Sequence, residues 1–235
     1  MSAVLERDIR FSEPLYTPDE AAQYLRLPAS TFETWVKGYS RRRLTGHATV
    51  SPGFVHALPS TRPGQPIIPF IGLAEGLAAR AFKDAGVPTH EIRDVLPIIQ
   101  QELGVEYALA TKRIYTDGHR ILLDYAKQSS KPELAVVRSQ QGVIYEVLQR
   151  YLRRVEYDSS GYASRLTLPG SERDVLTIDP NYSFGKPVVI QGNARMVDIL
   201  DRFAAGESVE EIADDFEVEP RDVVDIVRDY YRAKW

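Results

Sequence analysis

Five prolines and three glycines are concentrated between Gly46 and Pro69, and this density excludes long helices or strands from that segment. The same part of the chain lacks acidic residues, since none occurs between Glu33 and Glu75. It carries instead the cationic side chains of Lys37, Arg41, Arg42, Arg43 and Arg62, together with His47 and His56. The chain as a whole has a formal net charge of −4, so this stretch is a local exception. Such a stretch suits a polyanion such as DNA.

The composition excludes several other classes of protein. The chain has 235 residues, of which 43% are hydrophobic and 26% charged, as expected of one to three globular domains. It has no cysteine, which excludes disulfides and thiolate chemistry and predicts a cytoplasmic location. Its four histidines are scattered, so we expect neither a metal site nor a cofactor. There is no apolar run of about 18 residues and no signal-peptide pattern at the N-terminus, so we expect no membrane association.

Residues 16–37 show the pattern of a helix-turn-helix. Thr17 is a predicted N-cap, with proline in the first turn and Glu20 as the capping-box partner. After Leu27-Pro28, Ser30 or Thr31 is expected to open a second helix whose inward side chains are Phe32, Trp35 and Val36. In this motif the second helix enters the major groove of DNA.

The remaining pattern predicts an α+β protein of three parts. We expect a winged helix-turn-helix over residues 1–104, a mixed central region over 105–178 and a three-helix domain over 179–235. The predicted strands are Ala48–Val50 and Gly53–Ala57 in the wing, a hairpin turning at Asp117-Gly118 between Lys112–Thr116 and His119–Leu123, and a hairpin of Arg153–Tyr157 with Tyr162–Leu168. The predicted helices are Ile71–Ala85, His90–Leu96 capped by Thr89, Gln141–Leu152, Ala194–Ala205, Ser208–Phe216 with a Ser208/Glu211 capping box, and Pro220–Arg232.

The candidate DNA-binding residues lie on and just after the second helix. Ser30, Thr31, Thr34 and Lys37 occupy the face away from Trp35, where hydroxyls suit base edges or phosphates and an ammonium suits phosphate. Arg41, Arg42 and Arg43 follow the helix and suit phosphates or a narrow minor groove. The alternative is that both sets are solvated surface residues.

The C-terminal region has the opposite charge. From Asp198 to Trp235 there are 12 acidic and 5 basic residues, so we expect these helices to avoid DNA and to face a protein partner or a dimer interface, or simply solvent. The chain ends on aromatic and cationic residues that are typical interface anchors, Tyr230, Tyr231, Arg232 and Trp235. The alternative for Tyr230 and Trp235 is packing of the last helix.

Two segments of the sequence resemble known protein families. Tyr16-Thr17, Glu20-Ala21-Ala22, Leu25, Leu27, Ser30-Thr31-Phe32 and Trp35 resemble the winged helix-turn-helix of MerR and excisionase proteins, and Phe82–Arg93 resembles the segment after the wing in MerR-type regulators. The long dimerisation helix of MerR proteins is missing, and the wing segment is unusually long. An effector-sensing role is therefore not implied.

The segments Gly185–Ile190 and Ile199–Phe216 resemble a trihelical domain of unknown function that is common in bacterial antitoxins. The match departs at Gly192-Asn193-Ala194-Arg195, where the family places Thr-Arg directly after glycine. Together the two modules resemble VapB-type antitoxins, whose partners are VapC-type ribonucleases with a PIN domain and an acidic, metal-binding site. The resemblance implies an antitoxin that neutralises such a toxin, with Arg232 suited to that acidic site, and that represses its own operon as a homodimer on operator DNA.

Two other functions remain open from the sequence. The chain could be a stand-alone transcriptional regulator or an excisionase-like recombination accessory protein without a toxin. An enzyme would have to rely on carboxylates such as Asp214 and Asp215, but neighbouring side chains on a helix point apart. We therefore expect no enzymatic activity.

Overall fold

The computed structural model describes residues 8–42, 48–60, 62–128, 141–192 and 194–232. At residues 40–42, 48, 49, 119, 128, 141 and 143 it describes the backbone alone. The chain forms two compact units, residues 1–163 and residues 164–235. The three sequence ranges expected above stay a prediction.

The described part of the first unit starts with a short helix, α1 (Ile9–Ser12), followed by the helix-turn-helix pair α2 (Pro18–Tyr24) and α3 (Ala29–Lys37). The predicted capping box is confirmed, because Glu20 N–H donates to Thr17 Oγ1 at 3.1 Å and Thr17 N–H donates to Glu20 Oε2 at 2.8 Å. The turn passes through Arg26, whose φ of 52° is left-handed. The prediction that Ser30 or Thr31 opens α3 is wrong, since the helix starts at Ala29 after Pro28 without a side-chain cap.

The wing is a two-stranded antiparallel ribbon of β1 (Tyr39–Arg42) and β2 (Ala48–Ser51), with Tyr39 opposite Ser51 and Arg42 opposite Ala48. The prediction of β2 is confirmed within one residue, but the predicted strand Gly53–Ala57 is wrong. In that segment the Phe54 and Val55 N–H groups donate to Trp35 O at 2.8 and 3.1 Å. They are therefore bonded to the end of α3 rather than to another strand.

Two long helices form the centre of the first unit, α4 (Phe70–Asp84) and α5 (Thr89–Leu103). The prediction of α4 is confirmed within one residue at each end. For α5, the expected cap at Thr89 and the expected end at Leu96 are wrong. The N-cap is Pro88, and the helix continues through Pro97 because Ile99 and Leu103 extend its buried face. It ends at Gly104, whose φ of 66° is left-handed.

The predicted hairpin at Asp117-Gly118 is wrong, because this stretch is helical. A π-helical turn (Ile114–Gly118) leads into α6 (His119–Gln128). A type I′ hairpin turn needs positive φ at both central residues, and neither Asp117 nor Gly118 has one. Ile114, Tyr115, Ile121 and Leu122 are buried at helical spacing, which favours the helix over a turn exposed to solvent.

The predicted helix over Gln141–Leu152 is confirmed as α7. The strands β3 (Val155–Tyr157) and β4 (Ala163–Thr167) follow, and the boundary between the two units falls within β4. Asp158 N–H donates to Tyr162 O at 3.1 Å, and Gly161 has a φ of 81°. The second predicted hairpin turn is therefore confirmed.

In the second unit, β5 (Leu176–Ile178) pairs antiparallel with β4, with Leu166 opposite Ile178. The strand β6 (Val188–Val189) pairs antiparallel with β5, with Leu176 opposite Val189. Three helices follow, α8 (Met196–Ala204), α9 (Val209–Phe216) and α10 (Pro220–Arg232), as predicted. Their apolar faces enclose a core that includes Val189, Ile199, Ile212, Val223 and Ile226. The Ser208/Glu211 capping box is confirmed by bonds of 3.0 and 3.2 Å.

Within the part of the chain that the structure describes, no helix is long and apolar enough to cross a membrane.

Candidate nucleic-acid and partner interfaces

A groove of about 390 Å³ runs along the outer face of α3. Ser30, Thr31 and Thr34 line it from α3, so the structure brings three of the predicted DNA-binding residues together. The remaining lining residues are Trp35, Tyr39 of β1, and Thr89, His90 and Arg93 of α5. The first turn of α5 therefore borders the same surface as the second helix of the motif.

The hydrogen bonds within α3 decide what its polar side chains can offer. Thr34 Oγ1 donates to Ser30 O at 2.7 Å, so the Thr34 hydroxyl offers lone pairs to a donor on a base edge. Lys37 Nζ lies 2.7 Å from Glu33 Oε1, and both side chains are more than half exposed. Because such surface pairs contribute little to stability, a phosphate can take the place of the carboxylate.

Arg41 and Arg42 lie in β1, at the edge of the wing that directly follows α3, but only their backbone is described. Arg43 lies outside the described residues. Phosphate contacts by these three arginines therefore stay a prediction.

Arg93 connects α5 to the base of the wing, the segment of residues 52–56 that follows β2, and was not among the residues predicted from the sequence. Its Nε donates to Pro52 O at 2.8 Å, and its guanidinium carbon lies 5.2 Å from the Tyr39 ring centroid and 5.3 Å from that of Phe54. Its Nη2 is buried, and the residues described here offer it no hydrogen-bond partner. The only sequence signal was its place at the end of the MerR-like stretch Phe82–Arg93.

The base of the wing is also tied to α4. Glu75 is 3% exposed, and its Oε2 accepts the backbone N–H of His56 at 2.6 Å. Burial raises the pKa of Glu75 to about 8, so its carboxyl favours the neutral, protonated form near pH 7. Burial also lowers the pKa of His56 below its ordinary value, which favours the neutral imidazole. The hydrogen bond from the His56 backbone to the Glu75 carboxyl thus links the wing base to α4, and both ionisable side chains favour their uncharged forms.

The C-terminal aromatic residues divide between core and surface. Tyr230 packs against the core of the second unit, whereas the Tyr231 side chain is 42% exposed and its ring centroid lies 5.4 Å from that of Tyr230. Arg232 is exposed, and Trp235 lies outside the described residues. Val224 and Arg221 are also exposed on α10 and lie two and three turns before Arg232. The outer face of α10 therefore combines cationic and apolar groups.

Part of the acidity of this unit is neutralised internally. Arg173 bonds to Asp222 at 2.7 Å and to Asp225 at 2.8 Å, and Arg228 bonds to Asp225 at 2.5 Å. The hydrogen bond to Asp225 is the main cause of the raised pKa of Arg173. Asp222 and Asp225 are buried and therefore do not contribute to an acidic surface. The residue count alone had suggested that they would.

The acids considered for catalysis are not gathered into a site. Asp215 pairs with Arg202 at 2.7 Å, and Glu211 serves the cap of α9. Across the described ranges, no group of three histidine, aspartate or glutamate side chains is placed to hold a metal ion.

The fold and these surfaces define a DNA-binding helix-turn-helix protein that carries a second, small helical domain. Residues 14–96 match the family described as "Putative DNA-binding HTH domain", and residues 176–231 match the family described as "Protein of unknown function (DUF433)".

The comparison with whole proteins narrows this class. "Putative antitoxin VapB45" of Mycobacterium tuberculosis is 34% identical over 238 residues, which cover 97% of this chain and 99% of the relative. The crystal structure of Rv2018 from Mycobacterium tuberculosis matches with a TM-score of 0.77 at 31% identity, covering 93% of this chain and 99% of that chain. The chain belongs to the VapB-type antitoxin family, and the family predicted from the two motifs is confirmed.

Proposed function

We propose that this protein binds and neutralises a ribonuclease toxin of the VapC type, with a PIN domain, and represses its own operon as a homodimer on operator DNA. The name of the 34% identical relative, an antitoxin aligned along almost the whole chain, supports the toxin partner. The structural observation that best supports DNA binding is the groove between the outer face of α3, the wing and α5.

The groove supports DNA binding by its position and its chemistry. Three of its hydroxyls, those of Ser30, Thr31 and Thr34, belong to the second helix of the motif, which is the helix that enters the major groove in such proteins. The wing that follows α3 lies in the acid-free stretch of residues 34–74. Cationic side chains beside a reading helix position the protein on phosphates, while the hydroxyls contact base edges. A symmetric operator would be read by two copies of the chain, which is why we propose a homodimer.

The second unit supports binding of the toxin. The exposed face of α10 offers Arg221, Arg232 and Tyr231, residue types that are favoured at protein interfaces. A guanidinium pairs well with carboxylates, and the acidic site of PIN-type nucleases supplies them. We expect this face to contact the toxin, and we expect the protein to have no catalytic activity of its own.

The DNA-binding half of the proposal is tested on the chain's own promoter. The variant Arg41→Ala/Arg42→Ala/Arg43→Ala is expected to bind more weakly in gel shifts. The plot of log affinity against log salt has a negative slope, and its magnitude should decrease by about 0.9 for each phosphate that the variant no longer neutralises. A matched control is Lys112→Ala/Arg120→Ala/Arg150→Ala, which removes three exposed cations from other elements. Equal affinity and equal slope in the two triple variants would refute the assignment of the wing.

The toxin-binding half is tested with the product of the neighbouring reading frame. We expect a PIN-type nuclease that forms a stable complex with this chain and loses its ribonuclease activity at a stoichiometric ratio. If the nuclease stays active in the presence of excess chain, the antitoxin proposal is refuted. The protein would then be a DNA-binding regulator without a toxin, which was the alternative open from the sequence.

A further inference from the structure

One aromatic side chain of the second unit lies almost entirely in solvent. Phe184 is 89% exposed, the largest exposed fraction among the large apolar side chains that the structure describes. Tyr182, two residues before it, is 46% exposed. A single exposed apolar residue needs no explanation by itself, but the backbone that carries Phe184 is unusual.

Three consecutive residues in this loop have left-handed backbone conformations. The φ angles are 51° at Ser183, 53° at Phe184 and 68° at Gly185. Only glycine adopts this region without steric cost, and for a bulky side chain it is a genuine outlier. The sequence therefore places phenylalanine where glycine or asparagine would be favoured.

Backbone hydrogen bonds hold the loop in this conformation. Tyr182 N–H donates to Asp179 O, Gly185 N–H to Tyr182 O and Lys186 N–H to Ser183 O, each at 3.0 Å. The Asp179 carboxylate also accepts the Asn181 N–H at 2.9 Å and pairs with Arg165 at 3.1 Å. The ring is thus presented to solvent by an ordered loop, which lowers the entropic cost of binding through it.

We propose that Phe184 is an anchor that inserts into an apolar pocket on the toxin, and this inference rests on the function proposed above. Strained backbone that is maintained by its surroundings is concentrated at functional positions, and a preorganised aromatic side chain is a typical interface anchor. Residues 164–235 contain 15 acidic and 9 basic residues and stay net acidic when the buried Asp222 and Asp225 are left out, so we expect the pocket that receives the ring to have a basic rim. The anchor lies between β5 and β6 and is a contact point additional to the face of α10.

The test compares Phe184→Ala and Phe184→Gly with the wild-type chain in calorimetric titrations against the purified PIN-type nuclease. Both variants are expected to raise the Kd at least about tenfold. Phe184→Gly should also raise the thermal midpoint of the free protein, because glycine has no steric penalty at a φ of 53°. If the ring only stabilised the fold, the same substitution would lower that midpoint. Tyr145→Ala, which removes a 47% exposed ring from α7, is the control and should leave the Kd for the nuclease unchanged.

The outcomes separate this inference from the proposed function. If the wild-type chain binds the nuclease and both Phe184 variants bind equally well, the anchor is refuted and the antitoxin function stands. If the wild-type chain does not bind the nuclease, the proposed function fails and the anchor with it. Weaker self-association in sedimentation without a change in nuclease binding would assign the loop to a second copy of the chain and overturn the proposal.

Discussion

The buried carboxyl of Glu75 makes the stability of the first unit depend on pH in a way that one substitution should remove. The carboxyl accepts the backbone N–H of His56, at the base of the wing, at 2.6 Å. Glu75→Gln keeps an oxygen at the same place and cannot ionise. We therefore expect the variant to retain the fold and to lose the part of the pH dependence that comes from this group.

The sign and size follow from the pKa. Burial raises the pKa of Glu75 from 4.5 to about 8, so the folded state favours the protonated form. The resulting stabilisation is fully present below pH 4.5 and is lost as the pH rises to about 8. The free energy of unfolding of the wild type, relative to the variant, should fall by about 1.4 kcal/mol per pH unit in this interval. Over the whole interval the difference amounts to roughly 5 kcal/mol.

The assay is urea unfolding of both proteins followed by the fluorescence of Trp35, which is 1% exposed in the same unit. Trp235 is replaced by phenylalanine in both, because the chain has two tryptophans. The interval from pH 7 to 8 is the cleanest, because the lowered pKa of His56 keeps its imidazole neutral in the folded chain and an unfolded histidine, with a pKa of about 6.5, is mostly neutral there as well. Parallel curves for wild type and variant over this interval would show that Glu75 is ionised in the folded protein and would refute the reasoning.

The remaining predictions concern packing and charge. Gly53→Ala should destabilise the first unit by about 1–3 kcal/mol, because a Cβ there would lie 1.9 Å from Val36 O. Its control, Gly142→Ala, meets no atom within 4 Å and should stabilise α7 by about 0.5–1 kcal/mol; urea unfolding measures both, and equal effects would contradict the packing. Asp225→Asn should weaken the bonds to Arg173 and Arg228 and lower the thermal midpoint of the second unit, and an unchanged midpoint would show that these pairs contribute nothing.

The elements that the sequence predicted correctly carry their signals locally. Thr17 and Glu20 form a complete capping box within four residues, and Ser208 and Glu211 form another. In the sequence of α7, apolar residues recur at regular helical spacing. In each case the interactions that decide the structure lie within one or two helical turns of the residues that make them, so the pattern was sufficient.

The errors come from local signals that contacts elsewhere override. Asp117-Gly118 is a strong hairpin signal, yet burial of the apolar residues around it selects a helix. Judged from neighbouring residues alone, the helix α5 would end before Pro97, but the buried residues beyond this proline continue it. Arg93 was missed as a site residue because its acceptor, Pro52 O, is 41 positions away in the chain. No spacing rule connects two such residues.

The segment without negative charge extends beyond the segment without acidic residues. Glu75 is the first acidic residue after it, but burial favours its neutral form below about pH 8, so it does not offset the cations of the wing. The next acidic residue is Asp84, which lies 3.3 Å from Arg80. Near pH 7 the chain therefore presents no net acidic compensation between Glu33 and Asp84. The same carboxyl that fixes the base of the wing thus leaves its positive charge intact for a polyanion.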